Sequence, residues 1–321
     1  MKLLGLSCGR KMGNSEILLK EAMIGAEEVG AEVTFLRMQE LDIRPCIFCQ
    51  PCPAMGKGME ACIYKDDAPF FLEKFLDCDG LIISVPIYTK TPPGQLFAIR
   101  DRLLGPKVDV TLVRQFRDRM GGGAKADERH FKNRAGGFIA VGGAPLPNWV
   151  TLGLPLLHTL TFSAQIAIAD QMQVLRIAEI GAAVLYEEVL KRARSLGRHV
   201  AEAMGKPFDK VKYRGDEPGT CPVCHSNLMV MGRESPIMCA VCGIKGDIKV
   251  NNGRITVVFP EEERILSPLT IKGKEIHGTE VMDVAKALMP RKDEIPPKLE
   301  KYKKYKSPLK PPSKTRRRPA A

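Results

Sequence analysis

Over its first two hundred residues the chain alternates short apolar runs with segments of helical spacing. Lys2 to Ser7 is an apolar run of strand length, and Asn14 to Val29 places Ile17, Leu18, Ala22 and Ala26 on one side of a helix. Glu32 to Met38 alternates as a strand, Asp67 to Leu76 has helical spacing, and Gly80 to Val85 reads as a buried strand. Gly94 to Leu104 follows as a helix and Ala135 to Val141 as a strand. Val150 to Leu160 then reads as a helix, Gln165 to Ala169 as a strand and Ile177 to Met204 as a long closing helix. Short apolar strands separated by helices predict an α/β fold, a doubly wound parallel sheet covered on both faces.

The pattern changes after Met204. Residues 206–219 are polar and contain Gly215, Pro218 and Gly219, so they read as a linker. Residues 220–260 form a second, smaller unit that ends in two β-rich runs around Asn252-Gly253, a hairpin signal. Residues 261–290 read as an extension with a short helix at Val281 to Leu288. Residues 291–321 are rich in Lys and Pro, bury too little apolar surface to fold, and are expected to be a disordered tail. No apolar run approaches the roughly 18 residues of a membrane span, and the N-terminus lacks the features of a signal peptide. The expected location is the cytoplasm, without membrane insertion.

Composition refines this picture. The 321 residues are 44% hydrophobic and 27% charged, the balance of a core-forming protein with one large and one small domain. The net charge of +12 resembles a nucleic-acid signal until it is located: residues 291–321 hold twelve Lys or Arg and three Asp or Glu. The basicity belongs to one end of the chain. That tail keeps nucleic-acid or protein binding open as an alternative, but it offers no stacking aromatics beyond Tyr302 and Tyr305, and docking on an acidic partner accounts for it equally.

Eight of the ten cysteines fall into two groups. Cys46, Cys49, Cys52 and Cys62 supply four thiols within seventeen residues, suited to a 4Fe–4S cluster or a tetrahedral zinc; the successive two-residue spacings favour the cluster. Cys221, Cys224, Cys239 and Cys242 form two C-x-x-C knuckles ahead of the hairpin, the pattern of a zinc ribbon. Iron would also fit four thiolates, but the segment lacks the aromatics of an iron-bearing rubredoxin core, so zinc is expected. Cys8 and Cys78 read as small buried hydrophobes, and His158 and His199 as structural or surface residues.

The first strand runs into Ser7-Cys8-Gly9-Arg10-Lys11-Met12-Gly13-Asn14-Ser15 and then a helix. Such a turn directs free N–H groups and a helix N-terminus at one point, which suits a phosphate. It is neither a Walker A loop nor G-x-G-x-x-G. Together with Asp79 to Thr89, Gly94 to Arg102 and Phe138 to Gly143, this loop resembles the NADPH-dependent FMN reductase and iron–sulfur flavoprotein families, over residues 1–205.

The resemblance implies a flavodoxin-like FMN-binding domain over residues 1–205, with the cysteine loop at 45–63. It implies that Ser7, Arg10, Asn14 and Ser15 hold the FMN phosphate. Pro86, Ile87, Tyr88 and Thr89 would line the isoalloxazine ring and donate backbone N–H groups to it, while Gly142 and Gly143 would allow close approach on its other edge. Asp66-Asp67 after Cys62 also match the iron–sulfur flavoprotein pattern, although the nine residues between Cys52 and Cys62 exceed that family's usual gap. The implied activity is an FMN-dependent oxidoreductase coupling two-electron flavin chemistry to one-electron transfer through the cluster. NAD(P)H or a reduced ferredoxin would be the donor, and the family implies a homo-oligomer. The scheme requires no acid–base residue, and none is nominated.

Overall fold

The computed structural model describes residues 1–49, 62–104, 109–119, 127–216 and 219–309. Five parallel strands are placed in the order β2-β1-β3-β4-β5: β1 (Lys2–Ser7), β2 (Glu32–Arg37), β3 (Gly80–Pro86), β4 (Arg134–Val141) and β5 (Ile166–Val174). The order reverses direction between β1 and β3, so the loops after these two strands diverge and leave a crevice at the carboxyl end of the sheet.

Period-two alternation explains why these strands are apolar on both sides. Leu4, Leu6, Leu81, Ile83, Val85, Phe138 and Ala140 enter one core, while Leu3, Ile82, Ile139 and Val141 enter the other. The first core is closed by α2 (Ala68–Asp77), α3 (Gly94–Ile99) and α5 (Gly153–His158) through Phe71, Phe75, Leu96, Ile99 and Leu157. The second is closed by α1 (Asn14–Glu27) and α6 (Glu187–Ala203) through Leu18, Leu19, Ala22, Leu196 and Val200. These two helices cross with their backbones in contact. A Cβ on Gly197 would overlap the carbonyl of Ala22, and one on Gly25 that of Arg194. Arg194 ties the crossing to Glu21 at 2.8 Å.

Several elements differ from the sequence expectation. The segment from Ile177 to Met204 is not one helix: Gly181 takes φ +80°, a single turn occupies Ala182–Leu185, and α6 starts at Glu187. The Asn14 side chain holds this segment off a helical path by binding the carbonyls of Ile177 and Glu179. β5 extends to Val174 because Asp170, polar yet fully buried, is paired with Arg192 at 2.5 Å and His199 at 2.6 Å. The helix from Gly94 passes into a π turn at Arg100–Leu104, and α4 (Val110–Arg119) follows.

After the linker, β6 (Met229–Val230), β7 (Ile237–Cys239), β8 (Lys245–Asn251) and β9 (Arg254–Val258) form an antiparallel sheet. Asn252 and Gly253, at φ +50° and +76°, make the two-residue turn between β8 and β9. The extension is more helical than expected, with α7 (Glu261–Leu266) and α8 (Ile271–Leu288). Leu269 between them packs with the ribbon cysteines, and its carbonyl accepts the Gln165 amide at 2.9 Å.

The chain divides into two compact units, Met1–Glu275 and Ile276–Ala321. In the second, the tail expected to be disordered from Arg291 carries α9 (Ile295–Lys303). Two prolines sit in its first turn, and a Lys298–Glu294 ion pair spans 2.7 Å. No helix among the described residues is long and apolar enough to cross a membrane.

Candidate functional site

The loop after β1 leaves the sheet at Cys8, whose N–H reaches the Ser84 carbonyl at 3.0 Å, and curls onto the start of α1. Gly9 permits the curl, since a Cβ there would overlap Ser15 Oγ. Met12 takes φ +53°, and its N–H binds the buried Glu16 carboxylate. Burial would raise the pKa of Glu16, but Arg37 at 2.7 Å, Lys20 at 2.9 Å and the Met12 N–H outweigh it and hold the group at about 2. The one acid of the first helical turn is thus neutralised, and the positive end of α1 is left for another anion.

Ser7 Oγ is fully buried at the base of this loop with no hydrogen-bond partner. An orphaned hydroxyl, a glycine cradle and a helix N-terminus suit a phosphate-bearing cofactor. Arg10 is exposed at the rim and Ser15 is buried within. Asn14 differs from expectation: both its amide hydrogens are spent on Ile177 and Glu179, and its oxygen accepts the Ala183 N–H at 3.0 Å. In this arrangement it positions the loop. Cys8 is buried, which pushes its thiol pKa up and keeps it an unreactive core group.

The second wall of the crevice follows β3. Pro86 has no N–H to give, the Ile87 N–H is taken by Val141 at 2.8 Å, and the Tyr88 N–H exchanges with Thr91 at 2.9 Å. Of the four residues expected to donate backbone hydrogen bonds, only Thr89 is outside these pairings. It and Lys90 lie in the left-handed region, at φ +46° and +71°. Ile87 packs its side chain against Gly153 in the core, whereas Tyr88 is half exposed. After β4, the Gly142 N–H is spent on Val174 at 2.8 Å, and Gly143 packs on Ala178. Trp149, half exposed, receives the Lys90 ammonium 5.9 Å from its ring centroid, joining this loop to the β3 loop. Sequence reading missed Trp149, although its being the chain's single tryptophan was a signal.

The cysteine loop is pinned at its base. Asp67 accepts the Asp42 N–H at 2.7 Å, and Asp66 accepts those of Arg44 and Ala68. Buried Arg102 pairs with Asp66 and donates to Cys62 Sγ at 3.3 Å. Cys46 Sγ accepts the Phe48 N–H at 3.4 Å, and Cys49 is exposed. Cys52 lies outside the described residues. Cys46, Cys49 and Cys62 do not gather into a ligand set among the described residues.

In the ribbon, by contrast, the four sulfurs of Cys221, Cys224, Cys239 and Cys242 lie within 4.8 Å of one another, all buried. Each knuckle closes with an N–H···O bond, His225 to Cys221 at 3.0 Å and Gly243 to Cys239 at 2.9 Å. Cys221 beside it pushes the Cys224 thiol pKa far up, so without a cation the four cannot ionise together. Four convergent sulfurs in one buried volume fit a tetrahedral thiolate-bound metal.

A family model of NADPH-dependent FMN reductases matches residues 1–148. A flavone synthase of Aspergillus candidus is 32% identical over 284 residues, spanning 86% of this chain and 87% of that protein. The chain belongs to the NADPH-dependent FMN reductase and iron–sulfur flavoprotein family. A solved flavone reductase superposes on this family member with a TM-score of 0.80 at 29% identity, over 97% of this chain and 100% of the other. An iron–sulfur flavoprotein of Methanocaldococcus jannaschii is 26% identical over 64% of this chain and 97% of its own length. The flavodoxin-like fold and the resemblance stated from the sequence are both borne out, and the protein is an FMN-dependent oxidoreductase.

Proposed function

We propose that this family member exchanges a hydride with NAD(P)H and with a planar, conjugated organic acceptor of the flavonoid class. The observation that carries the acceptor is the extent of the match. The flavone reductase and this chain superpose over nearly their whole lengths, which include the ribbon as well as the nucleotide-binding sheet. The flavone synthase likewise spans 86% of this chain. When bound, FMN would supply two-electron exchange between a nicotinamide and such an acceptor.

The protein's part is to bind and orient. Ser7, Arg10 and Ser15, with the N-terminus of α1, would hold the phosphate, and Asn14 would keep their loop in place. Thr89 would offer its N–H at the ring edge, and Tyr88 and Trp149 would flank the ring with aromatic surface. Pro86, Ile87, Gly142 and Gly143 would set the spacing of the two strand-end loops rather than donate to the ring. The ribbon cysteines would hold zinc.

Anaerobic mixing of the FMN-loaded protein with NADPH or NADH, followed by a flavone and the corresponding flavanone, tests the reading. We expect loss of the oxidised flavin absorbance with a nicotinamide, its return on adding the flavone, and a product two mass units heavier. A protein that retains no FMN would overturn the cofactor site, and one whose reduced flavin returns no electrons to any flavonoid would overturn the acceptor.

A second reading places a 4Fe–4S centre on Cys46, Cys49, Cys52 and Cys62, with a ferredoxin-like protein as donor or acceptor. Similarity to the iron–sulfur flavoprotein over 97% of that protein's length favours it. Iron and sulfide near four per chain would establish the centre, and their absence from anaerobically purified protein would remove it.

A further inference from the structure

A cavity of about 520 Å³ lies between the sheet's β5 side and the ribbon. Leu154 and His158 of α5 and Gln171 of β5 line it from the sheet, and Tyr213, His225 and Asn227 line it from the linker and the first cysteine knuckle. None of the candidate FMN residues lines it. Its lining does include Pro147 and Thr151, on either side of Trp149.

The lining specifies the guest. Among the described residues it contains no Lys or Arg, and its one carboxylate, Asp216, is paired with Arg192 at 2.5 Å. No Lys or Arg among these residues would pair with a phosphate or sulfonate, and a neutral molecule fits better. The rings of Tyr213 and His225 stack at 3.7 Å and 12°, which presents a flat wall. The polar groups form a chain: His158 Nε2 donates to Gln171 Oε1 at 2.9 Å, and Gln171 Nε2 donates to the His225 carbonyl at 3.3 Å. That chain fixes the His158 tautomer, and it leaves Nδ1 as a buried acceptor without a protein donor.

The backbone of the wall is strained. The residue after the second cysteine of each knuckle takes a left-handed conformation. In the second knuckle this is Gly243 at φ +71°, but in the first it is His225 at φ +57°. A glycine would serve the turn at lower cost, and the His225 ring offsets part of that cost by stacking on Tyr213.

We propose that this cavity binds a neutral, planar aromatic molecule carrying hydroxyl groups, with the ribbon as one wall, at a site apart from the flavin crevice. The volume lies within the roughly 300–1,000 Å³ usual for small-molecule sites.

The test is equilibrium binding of 4′,5,7-trihydroxyflavone to the FMN-loaded full chain and to three variants. Leu154→Trp fills the cavity, His225→Gly removes the flat wall while relieving the turn, and Tyr213→Phe keeps the ring. We expect the first two to weaken binding at least tenfold and Tyr213→Phe to stay within threefold, with metal and FMN content unchanged throughout. His225→Gly is the discriminating variant: a purely structural histidine in a glycine conformation would leave binding intact. Parent-like binding by both Leu154→Trp and His225→Gly, or no binding by the parent, overturns the proposal. Equally tight saturable binding of 2-naphthyl phosphate overturns the neutral-ligand assignment.

Turnover separates this site from the proposed function. Cavity-dependent binding without any flavonoid product leaves the site standing and sinks the proposed acceptor.

Discussion

His158 gives the fold a calculable acid sensitivity. It is fully buried at the end of α5, its ring edge-on to Phe138 and its Nε2 bonded to Gln171. Burial, the largest influence, pushes its pKa down to about 4, against the smaller upward pull of Gln171. A histidine in an unfolded chain titrates near 6.5, so as the pH falls the unfolded state takes up this proton first. The stability that neutral His158 contributes is therefore complete above roughly pH 6.5 and is lost as the pH falls toward about 4. At about 1.4 kcal/mol per pH unit, the whole window is worth about 3 kcal/mol, of which about 2 kcal/mol is gone by pH 5.

Urea unfolding of the parent and of His158→Gln, each at pH 7 and pH 5, isolates this contribution. Glutamine can meet Gln171 but cannot titrate. Other acid-sensitive groups, Asp170 and the ribbon cysteines among them, are shared by both proteins and cancel in the comparison. We expect the parent to lose about 2 kcal/mol more than the variant between the two pH values. Losses that agree to within about 0.5 kcal/mol would mean that His158 charges freely in the fold, contrary to its burial.

Three further perturbations address the candidate sites. Gly9→Ala should weaken FMN binding by about tenfold or more, because the new Cβ displaces Ser15 from the phosphate loop; fluorescence of released flavin reads this directly. Asn14→Ala removes three hydrogen bonds to the segment before α6 and should cost about 2–3 kcal/mol in denaturant unfolding. Cys224→Ser should abolish the ribbon's metal and open residues 221–259 to protease; a variant that still carries one tightly held metal per chain would refute the four-sulfur ligand set.

What the sequence made legible follows from how locally each feature is encoded. β1, β3 and β4 are predominantly apolar because both faces are covered, and the loop between β1 and α1 and the cysteine knuckles are contiguous stretches whose spacing is their chemistry. β5 was read short because Asp170, Gln171 and Gln173 look like a loop until their partners are known: Arg192 and His199 for Asp170, His158 for Gln171. The closing helix is shorter than its pattern predicts because an Asn14 side chain more than 160 residues away binds the segment before it. Tyr88 and Ile87 were assigned donor roles that sheet and turn pairing consume. The cavity was not legible at all, since its walls come from α5, β5, the linker and a metal knuckle, and no sequence period joins them.

The ribbon is joined to the sheet at a strand with one unpaired side. β5 ends the strand order, and an uncovered edge invites unwanted pairing. Here the Arg214 N–H binds the Ala169 carbonyl at 2.8 Å, Gln171 reaches the His225 carbonyl, and Gln165 reaches the Leu269 carbonyl. Of these contacts, the one from Gln171 seats the first knuckle against β5 and so shapes the cavity. With zinc held by the four cysteines as proposed, a ribbon this small would take most of its folding energy from the metal, and the metal, the edge cover and the cavity wall would form one cooperative element. Linkage is reciprocal: if the metal-bound ribbon is needed to bind an aromatic guest, the guest must stabilise the metal-bound ribbon. Saturating trihydroxyflavone should therefore slow zinc release to a colorimetric chelator by about the factor by which it shifts the ribbon's opening equilibrium, tenfold at about ten times its Kd. Zinc release at the same rate with and without the flavonoid would show that ribbon and guest are energetically independent, and the cavity would then be only the space left where two folded pieces meet.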